Sequence, residues 1–323
     1  MIKTPVTVLT GFLGAGKTTL LSKLLARPEL ARAAVLINEF GEVAIDHHLI
    51  REVKGDTIIL GSGCICCSVH GDLIRVLTEL YGNAARGEVP PYDRVLIETT
   101  GIADPTSVVA SVLQHPLLSR LFAPAAIVTA VDGVLGAATL KKHREAVKQV
   151  ALADRIIITK SDVASPDALA SLEQELAAIT PLATIVRSAG GDVDPEIMLA
   201  RGRDEAPQVM YSTSAHSDVK TFVVTFDKPV RPGPLAMWLS LMTQMHGEQL
   251  LRVKGLVAIE GEEVPMAIHC VQHLAYPPSP LAAWPDESRT SRLVFITRGL
   301  TDSVNRSLRE SLLDTLGVLP DSI

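Results

Sequence analysis

A nine-residue stretch near the start of the chain decides the fold, and it reads Gly11-Phe12-Leu13-Gly14-Ala15-Gly16-Lys17-Thr18-Thr19. It follows an apolar, strand-like run over residues 6–10 and opens an apolar-periodic segment over residues 20–25. The order strand, glycine loop, lysine, hydroxyl and helix is that of a P-loop. Glycines let the backbone bend so that successive N–H groups face phosphate oxygens, and the helix start adds its positive dipole end. The stretch predicts a phosphate site in which Lys17 reaches the β- and γ-phosphates and Thr18 holds Mg²⁺.

Length, composition and charge narrow the class of protein. The chain has 323 residues, which favours two domains, and 47% are hydrophobic, enough for sizeable cores. The net charge is −6 and no basic tract is interleaved with aromatic residues, which argues against a nucleic-acid partner. We find no signal peptide and no apolar run of about 18 residues, so we expect no membrane span. Because three of the four cysteines cluster at positions 64, 66 and 67, we expect a cytoplasmic protein with reduced thiols.

Alternating strands and helices predict an α/β fold for the first part of the chain. Apolar runs typical of buried strands lie at residues 6–10, 33–37, 57–60, 94–98, 125–131, 155–159 and 183–186. Helical patterns lie between several of them, at 69–81, 140–152 and 166–179. This alternation predicts the mostly parallel sheet of a P-loop NTPase with helices on both faces, and ligands beyond the carboxyl ends of the strands.

We assign residues 1–187 to this P-loop domain and residues 188–218 to a linker containing one short helix. Residues 219–323 form a smaller C-terminal α+β domain in this interpretation, because strand-like and helical patterns there follow a different order.

A second acidic motif, Glu98-Thr99-Thr100-Gly101, follows the strand at 94–98. In P-loop enzymes a carboxylate at this place holds Mg²⁺ through water or orients the attacking water, and the glycine N–H contacts the γ-phosphate. The alternative is a capped turn with no catalytic role. The P-loop upstream favours the first interpretation, so we predict that Lys17, Thr18 and Glu98 carry the catalysis.

A third motif, Thr159-Lys160-Ser161-Asp162, ends a later strand. A carboxylate such as that of Asp162 can accept hydrogen bonds from both N1–H and the exocyclic amine of guanine, a donor pair that adenine lacks. The stem of Lys160 would lie over the plane of the base. In the second half of a P-loop sheet, this motif makes guanine the favoured base.

The unusual element is Cys64-Ile65-Cys66-Cys67, which lies just before a predicted helix. Packing alone does not explain three cysteines within four residues, and a helix start favours the thiolate form that binds metal or reacts. Three thiolates on one loop suit Zn²⁺, Co²⁺ or Cu⁺. A redox switch and a structural zinc site completed elsewhere remain alternatives. Further ligands could come from Glu39, Glu42, His70 and His115.

A second group, His269, Cys270 and His273, is interpreted as structural. On a strand the two histidines face one way and the cysteine faces the other, so the three side chains do not converge.

Together, the four motifs in this order resemble the P-loop GTPases that assist metalloenzyme assembly, and more narrowly the CobW-type metallochaperones. The resemblance extends over about residues 4–190, and residues 219–316 resemble the CobW C-terminal domain. It implies GTP binding, slow GTP hydrolysis and delivery of a transition metal to a client metalloprotein. The segment from Asn38 to Glu42 matches the switch region of the family.

Carried over by position, the resemblance assigns Cys64, Cys66 and Cys67 to the transported metal and assigns Thr18 and Glu98 to Mg²⁺. The nucleotide-binding residues are Gly11, Gly14, Ala15, Gly16, Lys17, Thr18, Thr19, Gly101, Thr159, Lys160 and Asp162. This chain departs from the pattern in two ways. Thr159 stands where many GTPases have asparagine, and the chain has no histidine-rich run near the linker.

Two other classes of function share some of these features. An ATP-dependent small-molecule kinase would use the P-loop but has no need of the cysteines or of Asp162, and a redox- or zinc-sensing regulator would use the cysteines without GTP turnover. Because no water-orienting glutamine stands out, we expect weak intrinsic hydrolysis. The metal is expected to be Zn²⁺ or Co²⁺, with Ni²⁺ or Fe²⁺ as further options, and the sequence leaves the client and the choice between monomer and dimer open.

Overall fold

A computed structural model describes residues 3–38, 58–62, 69–200 and 218–318. The chain divides into two compact units. The first comprises Met1–Gln174 and Ala183–Gly202, and the second comprises Glu175–Leu182 and Arg203–Ile323. Within the described ranges, none of the helices has the length and apolar character needed to cross a bilayer.

The first unit contains a sheet of seven parallel strands in the order β3-β2-β4-β1-β5-β6-β7. The strands are β1 (Thr4–Gly11), β2 (Ala33–Asn38), β3 (Ile58–Ser62), β4 (Arg94–Glu98), β5 (Phe122–Asp132), β6 (Arg155–Thr159) and β7 (Thr184–Arg187). The α-helices of this part of the chain are α1 (Lys17–Leu25), α2 (Val69–Ala85), α3 (Thr106–Gln114), α4 (Leu118–Leu121), α5 (Gly136–Lys142), α6 (Arg144–Ala151), α7 (Pro166–Ile179) and α8 (Glu196–Leu199). The predicted parallel P-loop sheet is confirmed.

Helices cover both faces of this sheet. Successive residues of a strand point to opposite sides, so each strand contributes side chains to both layers. On one face, Leu20 and Leu24 of α1 pack with Leu9 of β1. On the other, Leu73 and Leu77 of α2 pack in the same cluster as Val6 and Val8 of β1. Strands that are buried on both faces read as continuous apolar runs, which is why their positions are visible in the sequence.

The sequence predicted one helix over residues 140–152, and that prediction is wrong. The structure has two helices, α5 and α6, separated by His143, whose backbone is extended with φ −125° and ψ 112°. The His143 ring stacks on the ring of Phe12 in the P-loop, with 4.4 Å between ring centroids. The break thus places an aromatic contact against the glycine loop.

The short helix α8 lies in the range that the sequence assigns to the linker, yet it packs as part of the first unit. Its Ile197 and Met198 are buried in the same cluster as α1. Thr7 Oγ1 donates a hydrogen bond to Met198 O at 3.1 Å, and Arg155 Nη1 donates one to Ala200 O at 2.8 Å. The first unit accordingly extends to Gly202.

The second unit is built on an antiparallel sheet in the order β11-β10-β9-β13-β8, with β12 paired to β10. Its strands are β8 (Val219–Phe226), β9 (Leu250–Val257), β10 (Met266–Val271), β11 (Leu274–Ala275), β12 (Ser279–Pro280) and β13 (Ser291–Arg298), and its longer helices are α9 (Pro232–His246) and α10 (Asp302–Leu316). The smaller α+β domain is confirmed.

An aromatic cluster anchors the core of this second unit. Trp238 of α9 is 3% exposed and meets Phe295 of β13 edge to face at 6.0 Å, while Phe222 stacks on the same Phe295 at 4.8 Å. The Trp238 indole N–H donates a hydrogen bond to Ser311 Oγ of α10 at 2.7 Å. The two helices are therefore joined to the sheet and to each other by apolar packing and one polar contact.

Candidate functional site

The P-loop joins the end of β1 to the start of α1. Gly14 and Gly16 have φ angles of +73° and +80°, which lie in the left-handed region that L side chains rarely adopt. Gly16 caps the amino terminus of α1 in this conformation, and Gly11 pairs with Ala130 of β5. Ala15 is buried and Thr19 is exposed at the start of the helix. The predicted phosphate loop therefore has the backbone bend that its glycines indicate.

Lys17 lies inside this loop. Its Nζ donates hydrogen bonds to Gly11 O at 2.9 Å and to Phe12 O at 3.3 Å. Burial lowers the pKa of the Lys17 ammonium, and the charge of Glu98 partly opposes that shift. Burial therefore disfavours the charged ammonium of Lys17, and an anion bound in the loop would stabilise it.

Thr18 and Glu98 meet where the P-loop faces the neighbouring strand. Thr18 Oγ1 donates a hydrogen bond to Glu98 Oε1 at 2.8 Å, and Glu98 is only 4% exposed. Glu98 ends β4, where it pairs with Leu9 of β1. The structure thus brings together the two residues that the sequence predicts as Mg²⁺ ligands, and a hydroxyl beside a carboxylate is an oxygen donor set that Mg²⁺ accepts.

The turn after Glu98 lies directly against the P-loop. Gly101 faces Leu13, and a side chain at position 101 would meet the backbone of Leu13. Gln149 of α6, which is 1% exposed, donates from Nε2 to Gly101 O at 3.3 Å and to Ala103 O at 3.1 Å. The position of this turn is therefore fixed from two sides.

The third motif is also tied to the P-loop. Thr159 Oγ1 donates a hydrogen bond to Ala15 O at 2.8 Å, and Lys160 Nζ donates one to Gly14 O at 2.9 Å. The hydroxyl of Thr159, the residue that stands in place of asparagine, therefore binds the backbone of the P-loop. Asp162 is exposed, and its Oδ1 accepts a hydrogen bond from the Gly190 N–H at 3.2 Å.

The predicted ligands of the transported metal, Cys64, Cys66, Cys67, Glu39 and Glu42, lie outside the described residues. Two described strands lead into these segments. β2 ends at Asn38, which pairs with Ser62 at the end of β3, and Ile37 pairs with Glu98. Among the residues that the structure describes, no group of three or more His, Cys, Asp or Glu side chains could hold a metal ion.

His115 and Cys270 have contacts that fit structural roles. The side chain of His70 lies outside the described part, and His115 Nδ1 accepts a hydrogen bond from the Leu118 N–H at 3.4 Å. Cys270 is buried in the core of the second unit, where burial raises the pKa of its thiol to about 12. A thiol in that state is a poor metal ligand, which agrees with the structural interpretation of this cysteine.

With this geometry established, comparison with known proteins gives the family. The family model described as the CobW/HypB/UreG nucleotide-binding domain matches residues 5–187. The chain belongs to the CobW/HypB/UreG family. The model described as the C-terminal domain of the cobalamin synthesis protein CobW matches residues 219–316 of this CobW-family protein.

Individual relatives match the CobW-family chain over nearly its whole length. It is 33% identical over 299 residues to the zinc chaperone YjiA of Escherichia coli K12, covering 90% of this chain and 93% of YjiA. It is 31% identical over 356 aligned residues to the zinc chaperone CobW of Pseudomonas aeruginosa, covering 97% and 92% of the two chains. The crystal structure of the Zn(II)-bound YjiA GTPase from E. coli is similar with a TM-score of 0.75 and 29% identity, covering 97% and 99%.

Sequence reasoning overlooked two residues that contact the motifs, Gln149 and Asp132. Asp132 Oδ2 accepts a hydrogen bond from Lys160 Nζ at 2.6 Å. Burial alone would raise the pKa of the Asp132 carboxyl, but hydrogen bonds from Lys160, Leu135 and Val134 outweigh it and hold this pKa below its usual value. Each residue carries a weak signal in the sequence. Asp132 follows a predicted strand, and Gln149 lies between the buried residues Val147 and Val150.

Proposed function

We propose that this protein is a zinc chaperone that couples GTP binding and hydrolysis to the delivery of Zn²⁺ to a client metalloprotein. The GTPase activity follows from the family assignment. The choice of zinc over cobalt, nickel or iron is supported by the relatives that are named zinc chaperones. Zinc is the cargo in this proposal, and Cys64, Cys66 and Cys67 bind it, with Glu39 and Glu42 as further ligands.

The main support for the proposal is that four neighbouring strands of the sheet end at the same edge. β3, β2, β4 and β1 are consecutive neighbours and all are parallel, so their carboxyl ends share that edge. The chain continues from β3 into the cysteine motif, from β2 into Glu39 and Glu42, from β4 beyond Glu98 and from β1 into the P-loop. Adjacent strands are about 4.8 Å apart, so the segments begin within a few strand spacings of the phosphate site.

On the nucleotide side, Lys17 and the loop N–H groups bind the phosphates, and Asp162 and Lys160 bind guanine. Thr18 and Glu98 hold Mg²⁺, which neutralises charge at the β- and γ-phosphates when it is bound. Intrinsic hydrolysis is slow in this proposal. The glutamine beside the Gly101 turn, Gln149, is buried and donates to two backbone carbonyls, so it does not orient water.

On the metal side, GTP with Mg²⁺ orders the segments that follow β2 and β3, so that the thiolates form one tight zinc site. Hydrolysis loosens these segments and releases zinc to the client. Contacts to a γ-phosphate order switch segments of other GTPases in this way. Linkage requires reciprocity, so zinc must tighten GTP binding by the same factor as GTP tightens zinc binding.

The test is a competitive zinc titration against a chromophoric chelator, with the protein loaded either with a non-hydrolysable GTP analogue or with GDP. We expect zinc affinity to be at least tenfold higher with the analogue, about 1.4 kcal/mol of coupling. Cys66→Ala should abolish the difference, whereas the matched control Cys270→Ala should retain it because that cysteine lies in the core of the second unit. Equal zinc affinities in the two nucleotide states would refute the coupling.

A small-molecule kinase and a regulator without turnover are the competing functions. Comparing GDP with ADP affinity separates the kinase from the GTPase, because guanine offers Asp162 a donor pair that adenine lacks. Phosphate release from GTP that zinc or a client accelerates would exclude a regulator without turnover.

A further inference from the structure

The carboxylate of Asp132 lies at the end of β5 and has hydrogen bonds on both oxygens. Oδ1 accepts from the N–H groups of Val134 at 2.8 Å and Leu135 at 3.0 Å, and Oδ2 accepts from Lys160 Nζ at 2.6 Å. The residue is 8% exposed. The two backbone contacts fix the carboxylate within its own loop, so its second oxygen is a fixed acceptor for the lysine.

Lys160 is in turn held at both ends. Its backbone has a φ of +53°, an uncommon left-handed conformation for a lysine, and the N–H of Gly133 donates to Thr159 O at 2.8 Å just before it. Its Nζ bridges Gly14 O of the P-loop at 2.9 Å and Asp132. A lysine stem normally samples many rotamers, and two fixed acceptors for its ammonium remove most of that freedom.

We infer that Asp132 is a positioning residue for the guanine base, acting through Lys160. It holds the lysine so that the four-carbon stem forms a flat apolar platform for the ring. This inference rests on the proposed role of Lys160 and Asp162 in binding the base. Asp132 itself touches no phosphate in this scheme, because a carboxylate beside phosphate oxygens would repel them.

The same domain contains a matched control for this residue. Asp104 Oδ1 accepts from the Thr106 N–H at 3.0 Å, and its Oδ2 accepts from Lys148 Nζ at 2.6 Å. Both aspartates therefore accept backbone N–H donors on one oxygen and a lysine on the other, with two N–H donors for Asp132 and one for Asp104. Lys148 belongs to α6 and not to the strand-end motif, so only Asp132 should affect the base.

The experiment compares Asp132→Asn with Asp104→Asn by calorimetric titration of GDP, IDP and pyrophosphate. Asparagine keeps an oxygen for the backbone N–H groups and removes the charge. We expect Asp132→Asn to lower the affinities for GDP and IDP by the same factor, about five- to twentyfold. The reason is that the lysine stem contacts the plane of the ring, which both ligands have. Pyrophosphate, which has no base, should change by less than about twofold, and Asp104→Asn should change none of the three ligands.

A double-mutant cycle keeps the inference testable if Asp132→Asn destabilises the domain. In a Lys160→Met background, adding Asp132→Asn should have no further effect on GDP affinity. Unchanged GDP affinity in Asp132→Asn, or an equal loss for pyrophosphate, would overturn the inference. Failure of the underlying base assignment gives a different result, namely no preference of the wild-type protein for GDP over ADP and no effect of Asp162→Asn.

Discussion

Replacing Gly101 by alanine tests how tightly the Glu98–Gly101 turn is seated on the P-loop. A Cβ at this position would lie 2.6 Å from Leu13 N and 2.7 Å from Leu13 Cα. Ordinary van der Waals contact begins near 3.4 Å, so one backbone must move by about 0.8 Å. Both neighbours resist that movement, since Gln149 holds the Gly101 carbonyl and the P-loop is tied to Thr159 and Lys160.

Overpacking of this kind costs about 1–3 kcal/mol. If the P-loop moves aside, the cost appears in nucleotide binding, where it corresponds to a loss of about 5- to 150-fold in affinity. If the loop holds its position, the cost appears in the stability of the first unit instead. We therefore expect the sum of the two free-energy changes to fall within about 1–3 kcal/mol.

The assay combines calorimetric GDP titration with urea unfolding followed by far-UV circular dichroism. Gly233→Ala in α9 is the matched control, because its added Cβ meets no atom within 4 Å. It should leave GDP affinity unchanged and raise the free energy of unfolding by about 0.4–1 kcal/mol, since alanine restricts the unfolded chain more than glycine does. A Gly101→Ala protein with wild-type GDP affinity and a wild-type urea midpoint would show that the turn and the loop are not rigidly apposed.

Two further predictions follow from contacts of the loop. Thr159→Val removes the donor to Ala15 O and should lower the free energy of unfolding in urea by about 1–3 kcal/mol. Thr315→Val, at a partly exposed position of α10, should lower it by less than about 0.5 kcal/mol, and equal costs would contradict the role of the buried hydroxyl. Burial lowers the pKa of Lys17 below its ordinary 10.5, so the unfolded chain binds more protons between the two values and stability should rise with pH in that window. Urea unfolding of the ligand-free protein from pH 7 to 10 checks this. A free energy of unfolding that is flat with pH, or that changes equally in Lys17→Met, would contradict the prediction.

The strands and the phosphate loop were predictable because their signals are local. Arg94–Glu98 and Arg155–Thr159 have the predicted bounds, since a strand buried on both faces is a short unbroken apolar run between polar ends. The helix Pro166–Ile179 also has its predicted bounds, which proline and a preceding serine indicate. In each case the residues that determine the element lie within it or beside it.

The break at His143 was not predictable in that way. Apolar residues continue at helical spacing from Leu140 through Val147 and Val150, so the pattern predicts one helix. The interruption coincides with a contact to Phe12, more than a hundred residues earlier in the chain. Asp132 was overlooked for the same reason, because its partner Lys160 directly follows β6, the neighbouring strand of the sheet. Contacts between residues that are far apart in the chain produce no hydrophobic periodicity that a single sequence could reveal.

The aromatic cluster of the second unit has a practical consequence. Both tryptophans of the chain, Trp238 and Trp284, belong to that unit, and Trp238 is buried against Phe295. Tryptophan emission, excited at a wavelength where tyrosine does not absorb, therefore monitors the C-terminal domain alone. A change in emission on adding GTP would mean that the nucleotide state had been communicated from one domain to the other. The protein thus carries a spectroscopic reporter of interdomain signalling that needs no label.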